Sequence, residues 1–293
     1  MGVIDVDPEL LRSAAAASLH AAEQTQVHID AEIVGLVPEL MHTLVEQGPY
    51  AYTILPEIHP DGTVRAPVLT TWDEINEAYA LVRGRTALLT VEPLVEVRGT
   101  WYTFQEALSS TRVRATGALG PPAVTLVIFP VSTGTGILGE LVWPRVVGRA
   151  LGRHQPAEPL EPFQRRRDTV TLHDEYLEAL RTEDVERLLA TLNEDAHSDV
   201  RDYVNDTGTL IELSGLDQHR AHYEALFERF EIRSVERLDR LVEDWYVFNE
   251  FRVTAVPRSN AEGQPIAFHI AEYLVTADDG KFIIRIGHGT DPA

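Results

Sequence analysis

Two stretches of this chain are nearly identical, WYTFQE at residues 101–106 and WYVFNE at residues 245–250. They begin 144 residues apart, and the same offset aligns further residues without a gap. Identities at this offset include Asp73 with Asp217, Tyr79 with Tyr223, Arg85 with Arg229, Pro121 with Pro265 and Gly136 with Gly280. A single register kept over this distance indicates an internal duplication, and each copy is long enough to form a domain.

The hydrophobic pattern of each copy predicts helices first and strands afterwards. In the second copy, apolar residues recur at helical spacing over 169–182 and 184–194, and another helix starts after Ser214. Strands are expected around 196–204 and near 231–242, 245–256, 265–276 and 281–288. We therefore predict an α+β fold, with two tandem cone-shaped domains whose N-terminal helices pack on a curved antiparallel sheet.

The repeat also sets the predicted domain boundaries. We place the first domain at residues 1–147, with an insertion around 56–69, and the second at residues 169–293. Three prolines disfavour regular structure in the segment between them, 148–168. Three consecutive arginines at 165–167 follow these prolines, and in so acidic a chain we interpret them as part of a solvated linker.

Composition limits the classes of function open to this chain. Its 293 residues carry a formal net charge of −21, and so acidic a surface repels a phosphate backbone, so nucleic acid is not an expected partner. The absence of cysteine excludes thiol nucleophiles and thiolate metal sites. No apolar run reaches the roughly 18 residues of a membrane span, and the N-terminal sequence lacks a signal-peptide pattern. We expect a cytoplasmic protein with no membrane partner.

Three segments of the second copy resemble the nuclear transport factor 2-like superfamily, which includes ketosteroid isomerase, scytalone dehydratase, limonene-epoxide hydrolase and the SnoaL-like polyketide cyclases. They are EYLEALRTEDVERLLATLNEDA (175–196), SGLDQHRAHYEALF (214–227) and AEYLVTADDGKFIIRI (271–286). The resemblance implies the same α+β cone, which the first copy shares through the repeat. Members of this superfamily often dimerise through the outer sheet face, which implies an internal pseudo-dimer or a homo-oligomer here.

The resemblance to ketosteroid isomerase implies a catalytic triad in the second copy. That enzyme combines a carboxylate base with an oxyanion hole made of a tyrosine and a protonated carboxylic acid. The tyrosine aligns with Tyr176 and the acid with Glu272. The base falls at Val200, which cannot serve, so its neighbours Asp199 and Asp202 are the candidates. Two such donors would stabilise a developing enolate or alkoxide while the aspartate moves the proton.

The strand FHIAEYLV singles out Glu272 independently of the resemblance. Glu272 shares a strand face with Ile270 and Leu274, so its carboxyl group lies between two aliphatic side chains. A carboxyl group in such a place is either a desolvated acid or half of a buried ion pair, and Arg285 on the neighbouring strand is the expected partner. A solvent-exposed Glu272 is the remaining alternative.

Other residues of the second copy are candidates for lining the cavity and binding the substrate. They are His197, Tyr203, Tyr223, Tyr246, Glu250, His269, Arg285 and His288. His219 and His222 are spaced to share a helix face, but no third acidic ligand stands nearby, so we predict no metal site. No glycine-rich phosphate loop precedes a helix, and no cofactor is expected.

The first copy lacks these groups at the 144-residue offset. Ile128 stands where the second copy has Glu272, and Leu141 stands where it has Arg285. The closing strands of the first copy keep one ionisable residue, Glu140, and its first helix has no tyrosine. We therefore predict that the first domain is non-catalytic. The glutamate that ends both motifs is then expected to serve the shared fold more than the chemistry.

These observations predict an acid/base enzyme without a cofactor, acting in the cavity of the second domain. The expected reaction is isomerisation, dehydration or other lyase chemistry, or cyclisation. The expected substrate is an apolar small molecule such as a steroid, a polyketide or an aromatic metabolite. One alternative is epoxide hydrolysis, which requires an Asp–Arg pair that activates water deep in the cavity. Another is a non-catalytic binding or scaffold protein, whose cavity would be filled by its own side chains.

Overall fold

The computed structural model describes residues 7–54, 57–58, 64–65, 67–145, 161–205, 207–260 and 263–292. The chain divides into two compact units. Unit 1 comprises Met1–Glu57 and Leu69–Val146, and unit 2 comprises Ile58–Val68 and Val147–Ala293. Both units are α+β, as predicted. Most of the predicted linker, residues 148–160, lies outside the described residues.

In unit 1, helices pack on a five-stranded sheet. The helices are α1 (Pro8–Val34), α2 (Val37–Met41) and α3 (Trp72–Arg85). The sheet strands are β1 (Ala51–Tyr52), β4 (Thr86–Arg98), β5 (Tyr102–Val113), β6 (Ala123–Pro130) and β7 (Gly139–Arg145), in the order β1-β7-β6-β5-β4. In the region of the predicted insertion, β2 (Glu57–Ile58) and β3 (Val64–Arg65) pair with each other.

Unit 2 repeats this plan with a six-stranded sheet. Its helices are α4 (Glu161–Arg181), α5 (Val185–Ala190) and α6 (Gly215–Arg229), and a 3-10 helix spans Arg258–Asn260. Its strands are β8 (Leu192–Arg201), β9 (Leu210–Ser214), β10 (Phe230–Val242), β11 (Tyr246–Pro257), β12 (Ile266–Thr276) and β13 (Phe282–Gly289), in the order β10-β11-β12-β13-β8-β9. The four closing strands lie within two residues of the predicted ones. The sequence pattern missed β9, which pairs with β8.

The last residues of the predicted linker belong instead to a helix. Residues 161–168 form the first two turns of α4. Pro162 is tolerated there because the first turn of a helix has no intrahelical acceptor for its backbone nitrogen. Arg165 forms an ion pair with Glu161, so these arginines are part of the helix surface. Among the helices of the described residues, none is long and apolar enough to cross a membrane.

Short local signals fix where the long elements begin and turn. At the start of α3, Thr71 accepts a hydrogen bond from the backbone of Glu74, whose carboxylate accepts from the backbone of Thr71 at 3.0 Å. This reciprocal pair satisfies amide groups that have no partner within the helix. The predicted turn between β12 and β13 is confirmed, with Gly280 at a positive φ of 76°, which glycine adopts without strain.

One face of the unit 2 sheet packs against the helices, and we call it the inner face. Val247 and Phe251 of β11 and Leu274 of β12 belong to the hydrophobic core on this face. Side chains alternate along a strand, so Tyr246 and Glu250 point to the opposite face. Alternate residues of a strand therefore point towards the helices or away from them, and only the former reach the space between helices and sheet.

The 144-residue offset holds through the first two long strands of each unit and then changes. The strand bounds of β4 and β10, of β5 and β11, and the β-bulges between them all fall 144 residues apart. In unit 1, β5 pairs with β6 and Gln105 lies opposite Val127. In unit 2, β11 pairs with β12 and Asn249 lies opposite Glu272. Gln105 and Asn249 are counterparts, so Val127 is the counterpart of Glu272 at an offset of 145. The predicted alignment of Glu272 with Ile128 is wrong.

The last strand of each unit keeps the 145-residue offset. Val142 of β7 lies opposite Val127, and Gly287 of β13 lies opposite Glu272. Glu140 is two residues before Val142, and Arg285 is two residues before Gly287. Glu140 and Arg285 are therefore counterparts. The predicted alignment of Arg285 with Leu141 is wrong because a slip of one residue exchanges the two faces of a strand. Unit 1 thus places a charged residue on its inner face where unit 2 has Arg285.

We predict opposite effects for two glycine-to-alanine substitutions. An added Cβ at Gly287 would lie 2.5 Å from the Cβ of Glu272, so Gly287→Ala should lower the free energy of unfolding by about 1–3 kcal/mol. An added Cβ at Gly84, on the exposed face of α3, meets no atom within 4 Å, so Gly84→Ala should raise it by about 0.5 kcal/mol. Urea denaturation followed by circular dichroism measures both, and equal effects would contradict the packing around Gly287.

Candidate active site

A buried ion pair lies on the inner face of unit 2. The Nε of Arg285, on β13, donates to Oε2 of Glu272, on β12, at 2.7 Å. Glu272 has no exposed surface and Arg285 is 7% exposed. Of the three arrangements predicted for Glu272, the structure has the ion pair. The carboxyl group therefore acts first as the partner of Arg285, rather than as a free acid.

Two polar side chains complete the environment of this pair. Nη1 of Arg285 donates to the hydroxyl of Tyr223, on α6, at 3.1 Å. Nδ2 of Asn249 donates to Oε1 of Glu272 at 3.4 Å. Sequence reasoning missed Asn249, although it lies directly across from Glu272 in the pairing of β11 with β12. Pairing the two predicted strands so that their inward-facing residues lie side by side could have placed Asn249 beside Glu272.

The charge of Arg285 is secure despite its burial. Burial lowers the pKa of a guanidinium group, but the charge of Glu272 and the hydrogen bond to it outweigh this effect and raise the pKa of Arg285 well above its usual value. Arg285 is therefore a fixed cation that Glu272 neutralises. A buried charge with such a partner keeps one geometry, because leaving either group alone is costly.

Tyr176 stands beside this pair, as the resemblance implies. Its ring lies 5.5 Å from the guanidinium carbon of Arg285, and its edge meets Phe282. Burial raises the pKa of Tyr176 well above its usual value, so the side chain is a neutral phenol. Within the described residues, its hydroxyl meets no hydrogen-bond partner. It lies beneath the cavity described next and does not line it.

A cavity opens on the inner face above the ion pair. Its polar lining consists of Arg201, Tyr203, His222, Tyr223, Arg285 and His288, and its other walls are mainly aliphatic and aromatic. The free space is about 40 Å³, which has room for a few water molecules. Three of the predicted substrate-binding residues, Tyr203, Tyr223 and Arg285, therefore share one cavity. His288 also borders it, but it alternates with Arg285 and Gly287 along β13, so its ring points to the opposite face.

The two histidines of this cavity are neutral at pH 7. Burial, followed by the nearby charge of Arg285, lowers the pKa of His222 to about 4. Burial, followed by the charge of Arg201, lowers the pKa of His288 to about 3. A neutral imidazole can accept a proton, so His222, whose helix faces the cavity, is the candidate base. The sequence analysis weighed His222 only as a metal ligand.

Neither predicted aspartate base reaches the cavity. Ser198 and Val200 of β8 face inward, since Ser198 bonds His219 of α6 and Val200 lines the cavity, so Asp199 points to the opposite face. There its Oδ1 lies 3.1 Å from Nε2 of His197, another predicted site residue. Asp202 has both carboxylate oxygens occupied by Val204 and Asn205 in a turn. The structure therefore does not bring Asp199 or Asp202 to the cavity as a catalytic base.

The remaining predicted residues also lie on the face away from the cavity. Tyr246 and Glu250 share that face of β11. His269 lies there on β12, and its Nδ1 is 3.3 Å from Oε1 of Glu250. The glutamate that ends the motif in unit 2 therefore contacts a histidine on the face away from the cavity.

Unit 1 holds a second polar cluster that the sequence analysis did not predict. His28 and Glu32 lie one turn apart on α1, and Glu140 lies on β7. All three are buried. The hydroxyl of Tyr79, the counterpart of Tyr223, donates to Oε2 of Glu140 at 2.6 Å. Arg83 forms an ion pair with Glu32.

This cluster borders a cavity that is larger than that of unit 2. Its free space is about 270 Å³, and Glu32, Arg83, Gln105 and Glu140 are among its lining residues. Burial, and then the nearby charge of Glu140, raises the pKa of Glu32 to about 7. Two carboxyl groups this close disfavour a second negative charge. The cluster therefore has the polarity opposite to that of the arginine-lined cavity in unit 2.

Comparison with known proteins agrees with the resemblance found in the sequence. Residues 173–284 match the model of the SnoaL-like domain family. No curated protein sequence matches the chain.

Similar solved structures align with less than half of this chain. A putative polyketide cyclase from Xanthomonas campestris pv. campestris is 18% identical, with 42% of this chain and 91% of that chain covered and a TM-score of 0.35. A ketosteroid isomerase-like protein from Erwinia carotovora atroseptica is 15% identical, with coverages of 44% and 98% and a TM-score of 0.36. An LEH-like epoxide hydrolase from M. tuberculosis is 14% identical, with coverages of 43% and 84% and a TM-score of 0.35.

The ion pair predicts strong coupling between its members. Glu272→Gln leaves a buried cation unpaired, and Arg285→Met leaves a buried anion, so each should destabilise unit 2 by roughly 3–5 kcal/mol. The double variant removes both charges and should recover most of that loss. Urea denaturation of the three variants gives the coupling energy. Additive losses in the double variant would contradict a paired arrangement.

Buried histidines predict that unit 2 loses stability in mild acid. Burial lowers the pKa of His173 to about 3 and of His219 to about 4, against 6.5 when unfolded. Between those values the unfolded state binds more protons, so the free energy of unfolding falls as pH decreases, by up to about 1.4 kcal/mol per pH unit for each histidine. In His173→Gln, the free energy of unfolding should change less steeply with pH between about pH 6 and 4, by up to about 1.4 kcal/mol per pH unit. An unchanged slope in urea denaturation would show that His173 titrates normally.

Proposed function

We propose that unit 2, in which residues 173–284 match the model of the SnoaL-like domain family, is an acid/base enzyme for a small, mainly apolar molecule. In this proposal, the substrate presents one carbonyl oxygen to Arg285 and Tyr223, and a neighbouring proton is transferred within the cavity. The reaction class is isomerisation, lyase chemistry or cyclisation. The observation that carries the proposal is the buried Arg285, which is held by Glu272 and lines an apolar cavity.

Arg285 supplies the electrostatic part of this mechanism. A guanidinium group has five N–H donors, and the structure accounts for one to Glu272 and one to Tyr223. The remaining donors of Arg285 are available to an oxygen in the cavity. A pre-oriented donor at a developing enolate is worth roughly 3 kcal/mol of transition-state stabilisation. Glu272 acts as a positioning residue, because it holds the guanidinium group and does not line the cavity.

His222 is the proposed proton carrier. It lines the same cavity as Arg285 and stands next to Tyr223 on α6. With its pKa lowered to about 4, the imidazole is unprotonated at neutral pH and can accept a proton from the substrate. The negative charge that then develops on the substrate oxygen would stabilise the protonated ring.

The size of the cavity restricts the substrate. Free space of about 40 Å³ holds a few water molecules, so a small ketone would require a limited movement of the walls and a steroid a much larger one. We therefore favour a small ketone or aldehyde over the polycyclic substrates considered from the sequence. Tyr203, stacked on Phe268 at 4.3 Å between ring centres, forms part of the wall that limits this space.

Water activation is a second candidate function. A carboxylate–arginine pair is the arrangement that epoxide hydrolysis requires, with Glu272 here in place of the predicted aspartate. Glu272 is shielded from the cavity, however, so water would have to enter beneath Arg285 to reach it. Incorporation of ¹⁸O from labelled water into the diol formed from cyclopentene oxide would distinguish this activity.

We predict that unit 2 accelerates exchange of the α-protons of cyclopentanone or another small cyclic ketone in D₂O, measured by NMR. His222→Gln should lower the enzyme-dependent rate by at least 10²-fold. The double substitution Arg285→Met with Glu272→Gln, which avoids an unpaired buried charge, should lower it by 10²-fold or more. His269→Gln, on the opposite sheet face, is the matched control and should stay within about twofold of the unmodified chain.

Two results would contradict this function. One is an exchange rate no higher than that of buffer for every ketone in the panel. The other is an acceleration that survives both the His222 substitution and the double substitution.

A further inference from the structure

The buried cluster of unit 1 has the composition of a metal site. His28 and Glu32 project from the same side of α1, because residues four apart lie one above the other on a helix. Glu140 faces them from β7. One ligand atom from each of these three residues lies within 4.8 Å of the other two. An imidazole and two carboxylates suit first-row divalent cations such as Zn²⁺ and Mn²⁺.

Hydrogen bonds around His28 leave one ring nitrogen available as a ligand. The hydroxyl of Thr43 donates to the carbonyl oxygen of Leu40 at 2.6 Å, so its oxygen accepts from Nδ1 of His28 at 2.6 Å. Nε2 then carries the lone pair in the neutral ring and lies 3.5 Å from Oε2 of Glu140. The hydroxyl of Tyr79 lies 3.2 Å from this nitrogen, but its proton is directed to Oε2 of Glu140, at 2.6 Å. Metal-binding histidines are held in this way, by an acceptor on the other ring nitrogen.

Charge also favours a cation at this place. Glu32 and Glu140 supply two carboxylates, and Arg83 compensates only one of them. In unit 2, the counterpart of Glu140 is Arg285, whose charge Glu272 balances. Unit 1 has Val127 at the position of Glu272, so its inner face offers no charged group there. A buried negative charge in this position requires a proton or another cation.

An independent observation points to a missing partner in the cluster. Tyr52, on β1, lies directly across from Glu140 in the parallel pairing of β1 with β7, so the two side chains lie side by side. The Tyr52 side chain has no exposed surface. Within the described residues its hydroxyl forms no hydrogen bond of ordinary geometry, although the side chain of Tyr79 lies beside it. A hydroxyl oriented into the site can donate to a metal-bound water.

We propose that unit 1 binds one divalent metal cation through His28, Glu32 and Glu140. Three protein ligands leave further coordination positions free, and the adjoining cavity of about 270 Å³ gives water or a small oxygen-bearing molecule access to them. A metal site with three protein ligands and an open position is the arrangement of catalytic zinc centres. Unit 1 would then recognise a ligand through a metal, whereas unit 2 would recognise one through Arg285.

The test is isothermal titration of Zn²⁺, and separately of Mn²⁺, into the full-length chain after treatment with EDTA and removal of any histidine tag. We expect one equivalent bound in unit 1, above weak binding by the acidic surface. His28→Gln and Glu140→Gln should each weaken this binding at least tenfold. Thr43→Val removes the acceptor that orients His28 and should weaken it by about 10- to 100-fold. Protons compete for the same atoms, so binding should also weaken as pH falls.

The matched control is the His269–Glu250 pair of unit 2, which lacks a second carboxylate in the same arrangement. His269→Gln and Glu250→Gln should leave the stoichiometry and affinity unchanged. Circular dichroism confirms that each variant is folded, and Co²⁺ absorption in the unmodified chain provides a second readout of ligand geometry. The proposal is overturned if neither metal binds at millimolar concentration. It is equally overturned if folded His28→Gln and Glu140→Gln bind as the unmodified chain does.

Discussion

Each unit depends on a contact between a tyrosine of its third helix and a charged residue of its last strand. In unit 1, Tyr79 donates to Glu140, and in unit 2, Arg285 donates to Tyr223. A charge on the inner face of the sheet is stable only if it is hydrogen-bonded and compensated, because burial removes its hydration. This contact ties the helix to the sheet and brings the charge to the floor of the cavity. The surrounding polar residues are arranged to balance it.

The duplication kept this contact and reversed the sign of the charge. Unit 2 balances its cation with Glu272 from the neighbouring strand, and Asn249 holds the other carboxylate oxygen. Unit 1 draws the polar groups around its charge from the helices, with Glu32 and His28 on α1 and Arg83, the partner of Glu32, on α3. The two scaffolds share strand bounds and bulges, so the difference lies in a few inner-face side chains. One fold can thus provide an anion-stabilising cavity and a cation-binding one.

Much of this architecture could be predicted from the sequence, because alternation and helical periodicity report directly on burial. The four closing strands and α6 were recovered in this way, and the partnership of Glu272 with Arg285 was one of the predicted alternatives. The predicted alignment of the closing strands of the two units failed for a single reason. One extra residue precedes β12, and a one-residue slip exchanges the two faces of every later strand position. Gapless alignment therefore compared Arg285 with Leu141 on the outer face, and Glu140 appeared isolated.

The repeated motif that reveals the duplication also shows how neighbouring residues of a strand point to opposite faces of the sheet. Its final glutamate, conserved between the copies, points away from the cavity in both units, as Glu250 does beside His269. The amide residue before it points inward, where Gln105 lines one cavity and Asn249 binds Glu272. Identity between the copies therefore marks the shared scaffold, whereas the variable amide marks the chemistry. In a duplicated sheet, the inner-face positions at which the copies differ carry the information about function.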